Sequence, residues 1–292
     1  MDVFKTRVGE CRAIAISQEN YFMETKGMEP FVVAEGGHRR LYAVCPECDN
    51  PVRMVGLNRR ELDAGHRRPY AKHIKRDVPG VAEYDGKAYL ECPYSDPGYH
   101  LPSATRRPPS DPTGRALYRI MRDRFDRVEY AWRRRSGIRL GVKGLRKALT
   151  LWRNDKAWLN YGSSYCNLPQ MLFMGLPEQN LYGQCVLRDG AVARALAGLG
   201  DVRLEAVDFS DSYVRISTTR FVNITFTLGP ASRRKTGEHM TESFPLCLLS
   251  DGRQIGGFIH VDTDPEWFGG ILNMPDWHEN RRLLGLAADV LG

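Results

Sequence analysis

The feature that most restricts the fold of this chain is a pair of cysteines separated by two residues. Cys45 and Cys48 lie between two short apolar segments, 40–44 and 52–55, each of strand length. Two thiolates at this spacing can bind one tetrahedral metal ion from a single tight turn. A strand, a Cys-x-x-Cys turn and a second strand are together typical of a zinc ribbon, so we predict one in this region.

A tetrahedral site of this kind needs two further ligands. Cys92 is the best third ligand, because it precedes a proline after a turn-rich segment. The fourth ligand is expected to be a histidine; His73 is preferred, at the end of the segment Pro-Tyr-Ala-Lys-His, and His66 and His100 remain alternatives. The predicted ligands of a structural Zn²⁺ are therefore Cys45, Cys48, His73 and Cys92.

The remaining cysteines do not indicate a disulfide framework. The chain has seven cysteines, an odd number, and its first residues form no apolar segment of signal-peptide length. It also contains no run of 18 apolar residues, which argues against a membrane span. We therefore expect a cytoplasmic protein that does not insert into membranes.

The chain divides into three parts by composition and periodicity. We predict a zinc-ribbon-containing β domain over residues 1–100 and a linker rich in proline over 101–113. Residues 114–292 are predicted to form a basic helical segment followed by a mostly antiparallel α+β domain. The fold class is therefore α+β: an N-terminal zinc ribbon with short strands, basic helices, and a C-terminal α+β domain.

Apolar spacing places the main helices and strands of the second half. Apolar residues recur at helical spacing over 114–135, and a second helix is predicted near 141–153. Beyond residue 201 the period changes to two, which predicts strands, including a pair over 244–261 joined by a Ser-Asp-Gly-Arg turn. A last helix is expected over 278–291.

The positive charge of the chain is concentrated in one segment. The net charge is +7, and residues 101–156 carry 16 lysines and arginines against 5 acidic residues, whereas residues 1–100 carry 15 of each. Such a concentration favours contact with a polyanion or an acidic partner. The candidate nucleic-acid-binding residues on the two predicted helices are Arg115, Arg119, Arg122, Arg127, Arg133, Arg134, Arg135, Arg146 and Lys147.

Arginine and aromatic residues on the same helix suit nucleic acid. A guanidinium can hold a phosphate through two parallel hydrogen bonds, and Tyr118, Tyr130 and Trp132 are available to stack on bases. We expect DNA rather than RNA as the partner; an acidic protein, a ribonucleoprotein or a merely solvated helix face are the alternatives. No small-molecule substrate is evident. A second, smaller basic cluster lies inside the predicted zinc region and comprises Arg59, Arg60, Arg67, Arg68, Lys72, Lys75 and Arg76.

Three short motifs occur in a particular order in the N-terminal part. They are Cys45-Pro-Glu-Cys48, Pro69-Tyr-Ala-Lys-His73 and Cys92-Pro-Tyr94. In this order they resemble the zinc-binding N-terminal region of CoiA-like competence proteins and related bacterial proteins on mobile elements. The resemblance covers about residues 41–94. It implies a bacterial mobile-element, phage or defence setting and, in its alternative reading, a metal-dependent nuclease.

The residues that a nuclease would need are not evident in the sequence. No lysine follows Lys235, and the strands from residue 201 on contain no Glu-x-Lys, which is expected of a nuclease-like domain of that kind. Asp262 and Asp264 are the best carboxylate candidates, although an acidic turn before a proline is the commoner role of such a pair. The leading hypothesis is therefore a nucleic-acid-binding protein without catalysis; a nuclease, and a scaffold or inhibitor subunit, are the alternatives.

Overall fold

The computed structural model describes residues 1–35, 37–57, 68–95 and 105–292. Over these ranges the chain is mixed α+β, and every pair of strands is antiparallel. The predicted fold class is thus confirmed at that level, whereas the assignment of a zinc ribbon stays a prediction. The division into 1–100, 101–113 and 114–292 also stays a prediction, and residues 101–104 lie outside the described ranges.

The N-terminal part is built on a four-stranded sheet. The strands of the N-terminal part are β1 (Val3–Phe4), β2 (Ile14–Ala15), β3 (Val32–Glu35), β4 (His38–Val44), β5 (Pro51–Val55) and β6 (Tyr70–His73). The sheet order is β3-β4-β5-β6, and β1 and β2 form a separate ribbon. Along β5 the side chains alternate, with Val52 and Met54 buried and Arg53 exposed. The face that carries Arg53 is only partly solvated, because Tyr42, paired with Arg53, is buried with Val44 in a smaller core.

Two helices flank this sheet, α1 (Gln18–Thr25) and α2 (Gly86–Glu91). Ser17 caps the start of α1 through its hydroxyl, and Asp85 caps α2 by accepting hydrogen bonds from the amides of Lys87 and Ala88. The sequence reading had not predicted either helix. α2 matters for the site because its C-cap residue is Cys92.

The basic segment forms three helices in place of the two expected. They are α3 (Pro112–Asp123), α4 (Phe125–Ser136) and α5 (Val142–Asn154). The helix predicted over 114–135 is interrupted at Arg124, whose backbone leaves the helical region at φ −137 and ψ 31. The apolar spacing hides this break, because Leu117, Met121 and Val128 are buried in the same core on both sides of it. Gly137, with a positive φ, ends α4.

The C-terminal half contains two antiparallel sheets. Their strands are β7 (Ile138–Arg139), β8 (Gln179–Asn180), β9 (Cys185–Leu187), β10 (Val202–Ala206), β11 (Tyr213–Thr218), β12 (Ile224–Leu228), β13 (Ser232–Thr236), β14 (His239–Ser250) and β15 (Arg253–Asp262). One sheet has the order β10-β11-β9-β7, and the other β13-β14-β12-β8 with β15 along β14. The predicted turn between β14 and β15 has positive φ at Asp251 and Gly252, which suits a tight hairpin.

Short helices complete the fold and close the core. They are a 3₁₀ turn (Ala157–Leu159), α6 (Leu168–Met171), α7 (Ala191–Ala197), α8 (Pro265–Leu272) and α9 (Arg281–Leu291). α9 packs against both α3 and α5. No helix within the described ranges is long and apolar enough to cross a lipid bilayer.

Candidate metal centre

Four predicted ligands converge at one end of the N-terminal sheet. Cys45 directly follows β4, Cys48 lies in the turn before β5, His73 is the last residue of β6, and Cys92 caps α2. Val52 and His73 are paired across β5 and β6, so the imidazole is on the same face as the buried valine. The strands and the helix therefore bring the ligands together although they are up to 47 residues apart in sequence.

The ligand atoms are spaced as a tetrahedral ion requires. The Sγ atoms of Cys45 and Cys92 are 3.7 Å apart, and His73 Nε2 lies 3.3 Å from Cys48 Sγ and 3.7 Å from Cys92 Sγ. All four atoms lie within 4.8 Å of one another. Tetrahedral zinc with ordinary bond lengths would place two sulfurs about 3.8 Å apart and a sulfur and a nitrogen about 3.6 Å apart. The four side chains thus form a cluster that can hold a metal ion.

Burial makes this cluster unfavourable without a cation. Burial raises the pKa of Cys48 and of Cys92 well above the usual thiol range, and the hydrogen bond of each to Cys45 raises it further. Burial acts in the same direction on Cys45, but hydrogen bonds from Cys48 and Cys92 and the nearby His73 hold the pKa of Cys45 well below that range. A divalent cation would instead stabilise the thiolate form of all three cysteines together.

Asn50 supports the cluster from outside. Its Nδ2 donates a hydrogen bond to Cys48 Sγ at 3.2 Å and another to the carbonyl of Asp85 at 3.0 Å. Its Oδ1 accepts from the amide of Asp85 at 2.7 Å. Asn50 therefore links the cysteine turn to the N-terminus of α2, the helix that carries Cys92. Groups of this kind fix the orientation of metal ligands.

The alternative ligands proposed from the sequence lie outside the described residues. This applies to His66 and His100, and to the basic residues Arg59, Arg60 and Arg67 of the smaller basic cluster. Among the described residues, the cluster of Cys45, Cys48, His73 and Cys92 is the one with metal-binding geometry.

Residue Asp49, next to the cluster, anchors the cysteine turn to the rest of the protein. Its carboxylate pairs with Lys5 Nζ at 2.6 Å and accepts hydrogen bonds at 2.8 Å from the hydroxyls of Thr113 and Tyr165. Lys5 is fully buried and Asp49 is 7% exposed. Sequence reasoning missed this pair; the position of Asp49 beside Cys48 was the available signal, and nothing in the sequence marked Lys5.

Two buried glutamates lie on another side of the cysteine turn. Glu47, inside the Cys-x-x-Cys turn, accepts a hydrogen bond from the amide of Cys166 at 3.1 Å, and burial raises the pKa of Glu47 to about 7. Glu242, on β14, accepts from Asn167 at 2.9 Å and pairs with Arg233 at 3.4 Å. These carboxylates join the cysteine turn and the C-terminal sheet to one loop, 163–167.

Several of the predicted nucleic-acid-binding arginines are engaged inside the protein. Arg127 is 9% exposed, and its guanidinium donates to the carbonyls of Ile271, at 3.2 Å, and Leu272 at the end of α8. Arg133 pairs with Glu129 at 3.1 Å. Arg135 pairs with Asp264 at 2.5 Å and lies over the ring of Trp267. Of the aromatic residues proposed to stack on bases, Trp132 is fully buried in the main core, and Tyr118 and Tyr130 are half-buried.

Other predicted residues face solvent. The side chains of Arg115, Arg119, Arg134 and Lys147 are exposed, and none of these side chains has a hydrogen-bond or ion-pair partner among the described residues. Arg122 and Arg146 are paired on the surface with Asp123 at 2.6 Å and Asp289 at 3.2 Å.

Of the two carboxylate candidates for catalysis, Asp262 is exposed and Asp264 has a structural role. Asp264 is the N-cap of α8, and its Oδ1 accepts from the amide of Trp267 at 3.0 Å, while Oδ2 pairs with Arg135. Both of its oxygens are therefore used within the fold.

No protein-family model, curated protein or solved structure matches this chain significantly.

Proposed function

We propose that this protein is a zinc-containing nucleic-acid-binding protein that contacts phosphates through an exposed basic face of α3 and α5. The observation that carries the proposal is the set of exposed side chains without partners on these helices, which we call the helical basic face: Arg115, Arg119, Lys143 and Lys147. The ion assigned to the cysteine and histidine cluster is Zn²⁺, because a Cys₃His set at these distances suits tetrahedral zinc.

The arrangement of the helices supports a continuous contact. Arg115 and Arg119 are four residues apart on α3, and Lys143 and Lys147 are four residues apart on α5, so each pair lies along one side of its helix. α9 packs against both helices. Its exposed residues include the small Gly285 and Ala288, and the carboxylate of the exposed Asp289 is paired with Arg146. A phosphate backbone can approach such a surface closely.

The zinc ion would have a structural role in this proposal. It would cross-link the ends of β4 and β6, the turn before β5 and the end of α2, where the four ligands lie. The further placement in a bacterial mobile-element, phage or defence system, and the preference for DNA, are part of the proposal; the placement is supported by the resemblance of the motifs within 45–94.

The test is a fluorescence anisotropy titration of the zinc-loaded protein against labelled duplex DNA, single-stranded DNA and RNA at two salt concentrations. Wild-type protein is expected to bind with a steep salt dependence, since each phosphate contact contributes about −0.9 to the slope of log affinity against log salt for duplex DNA. The test variant replaces all four residues of the helical basic face with glutamine, and its slope should be shallower.

A charge-matched control separates a local contact from an effect of net charge. It replaces four exposed cations of the C-terminal sheets with glutamine: Arg215, Arg234, Lys235 and Arg253. Equal affinity of the test and control variants would contradict the proposal. An absence of binding to all three probes would also contradict it and would favour an acidic protein partner; cleavage of a probe in Mg²⁺ would favour a nuclease.

A further inference from the structure

A basic pocket lies on the N-terminal sheet, on the side of the exposed Arg53 and Lys72. It contains none of the residues of the helical basic face. Its volume is about 300 Å³, at the small end of ligand pockets. We call it the sheet pocket. Among the described residues, its lining includes five lysines and arginines and no carboxylate. The lining residues are Arg40, Tyr42, Arg53, Lys72, His73, Ile74, Lys75 and Arg76.

The strand register brings like charges face to face in this pocket. Tyr42 of β4 is paired with Arg53 of β5, and Arg53 is paired with Lys72 of β6, so the two cations are direct neighbours across adjacent strands. Like charges in this position destabilise a sheet. The side chains of Arg53, Lys72 and Arg76 are all exposed, and none of these side chains has a hydrogen-bond or ion-pair partner in the part of the chain that the structure describes. An anion in the pocket would remove this repulsion.

The pocket is fixed in shape by the metal centre. His73, a ligand of the cluster, also lines the pocket, and its ring packs edge-on against Tyr89 with centroids 5.3 Å apart. Lys75 Nζ lies 4.7 Å over the ring of the same tyrosine. β5 begins just after the cysteine turn and β6 ends at His73, so the strands that carry Arg53 and Lys72 are attached to the ligands of the cluster. The cations are thus presented on a rigid support, which lowers the ordering cost of binding a ligand.

We infer that the sheet pocket seats a backbone phosphate of the bound nucleic acid. A guanidinium and an ammonium side by side match the charge and the several acceptor oxygens of one phosphate group. The inference rests on the proposed function and adds to it a second contact, on the metal-supported sheet. The small basic cluster noted in the sequence contributes Lys72, Lys75 and Arg76 to this pocket.

The test compares two double variants in the same anisotropy titration. The pocket variant is Arg53→Gln with Lys72→Gln. The control is Lys26→Gln with Lys87→Gln, which removes the same charge from two exposed positions outside the pocket. Seating of one phosphate predicts that the slope of log affinity against log salt falls by about 1 in the pocket variant and is unchanged in the control.

A second readout separates a binding role from a structural one. Because the two cations repel each other, the pocket variant without ligand is expected to melt at the wild-type temperature or above it. Inorganic phosphate should raise the melting temperature of the wild type more than that of the pocket variant at equal ionic strength. A pocket variant that melts below both wild type and control would overturn the inference, because it would assign the cations to the fold.

The outcomes for the two surfaces are distinguishable. If the variant of the helical basic face binds weakly and the pocket variant binds like the control, the inference is wrong and the proposed function stands. If only the pocket variant is weakened, the helical contact is wrong and the pocket is supported. If inorganic phosphate stabilises the protein but no nucleic acid binds, the pocket binds an anion other than a nucleic-acid phosphate and the inference is wrong.

Discussion

Lys5 and Asp49 form a buried ion pair with 2.6 Å between Nζ and Oδ1, and it fixes the cysteine turn against the first strand. Lys5 also donates to the carbonyls of Glu10 at 2.8 Å and Pro46 at 3.1 Å, and lies 4.0 Å over the ring of Tyr165. Both charges are thus satisfied by several partners, which is the condition under which a buried pair is tolerated.

Removal of one partner should destabilise the protein strongly. Lys5→Met leaves the carboxylate of Asp49 buried without its cation, so we expect the free energy of unfolding to fall by about 3–5 kcal/mol. Chemical denaturation of the zinc-loaded protein measures this change. Arg7→Met is the control, because the pair of Arg7 with Glu10 is solvated, with side chains 78% and 42% exposed. Its effect should stay within about 1 kcal/mol; equal effects of the two variants would contradict the importance of burial.

Loss of one ligand should abolish stoichiometric zinc. Purified wild-type protein is expected to carry one zinc per chain by elemental analysis, and Cys92→Ser should carry much less and melt at a lower temperature, since metal binding is coupled to folding. Cys247→Ser is the control: this thiol lies on β14, outside the cluster, and should leave the zinc content unchanged. A wild-type protein that contains iron or no metal would show that the zinc assignment is wrong.

Asn50 should affect metal affinity without being a ligand. Asn50→Ala removes the donor to Cys48 Sγ and the link to Asp85, so we expect zinc affinity to fall about 10- to 100-fold. Competition with a chromophoric chelator measures the affinity. The stoichiometry should remain one zinc per chain, and an unchanged affinity would show that the cysteine turn is held by other contacts.

The ligand set was predictable because it depends on local features. The spacing of Cys45 and Cys48 and the residue types at His73 and Cys92 specify a site of known geometry, and the structure brings these four residues together. The preference for His73 over His66 and His100 stays a prediction, because those two histidines lie outside the described residues. The identity of the metal does not follow from the same observation.

The uses of charged side chains were harder to predict. Helical periodicity indicates which side of α4 is polar, but not whether another element covers that side. α8 and the segment before α9 lie against it, so Arg127 and Arg135 are engaged with Leu272 and Asp264, whereas Arg134 remains exposed. The pairing of Lys5 with Asp49 likewise depends on tertiary contacts between residues 44 positions apart. The break at Arg124 contains no glycine or proline to indicate it.

Substitutions of two arginines of α4, one buried and one exposed, should have different effects on the free energy of unfolding. Arg127→Met removes hydrogen bonds to the buried carbonyls of Ile271 and Leu272, so we expect a loss of about 1–3 kcal/mol in the free energy of unfolding. Arg134→Met, at an exposed position, should change it by about 0.5 kcal/mol or less. Denaturation curves measure both variants, and a larger effect of Arg134→Met would contradict the burial argument.

The buried carboxyl of Glu242 should make stability depend on pH in a defined direction. Burial raises the pKa of Glu242 above its usual range, although Arg233 and Asn167 partly oppose this. Between the unfolded carboxyl pKa of about 4.3 and the raised value, the folded chain holds a proton that the unfolded chain has released. The associated stabilisation is complete below that unfolded pKa and is lost as pH rises through the raised pKa. The free energy of unfolding should therefore fall with rising pH more steeply in wild type than in Glu242→Gln.

Chemical denaturation at a series of pH values measures this dependence. Glu19→Gln, exposed on α1, is the control and should follow the wild-type curve. Parallel curves for wild type and Glu242→Gln would contradict the prediction.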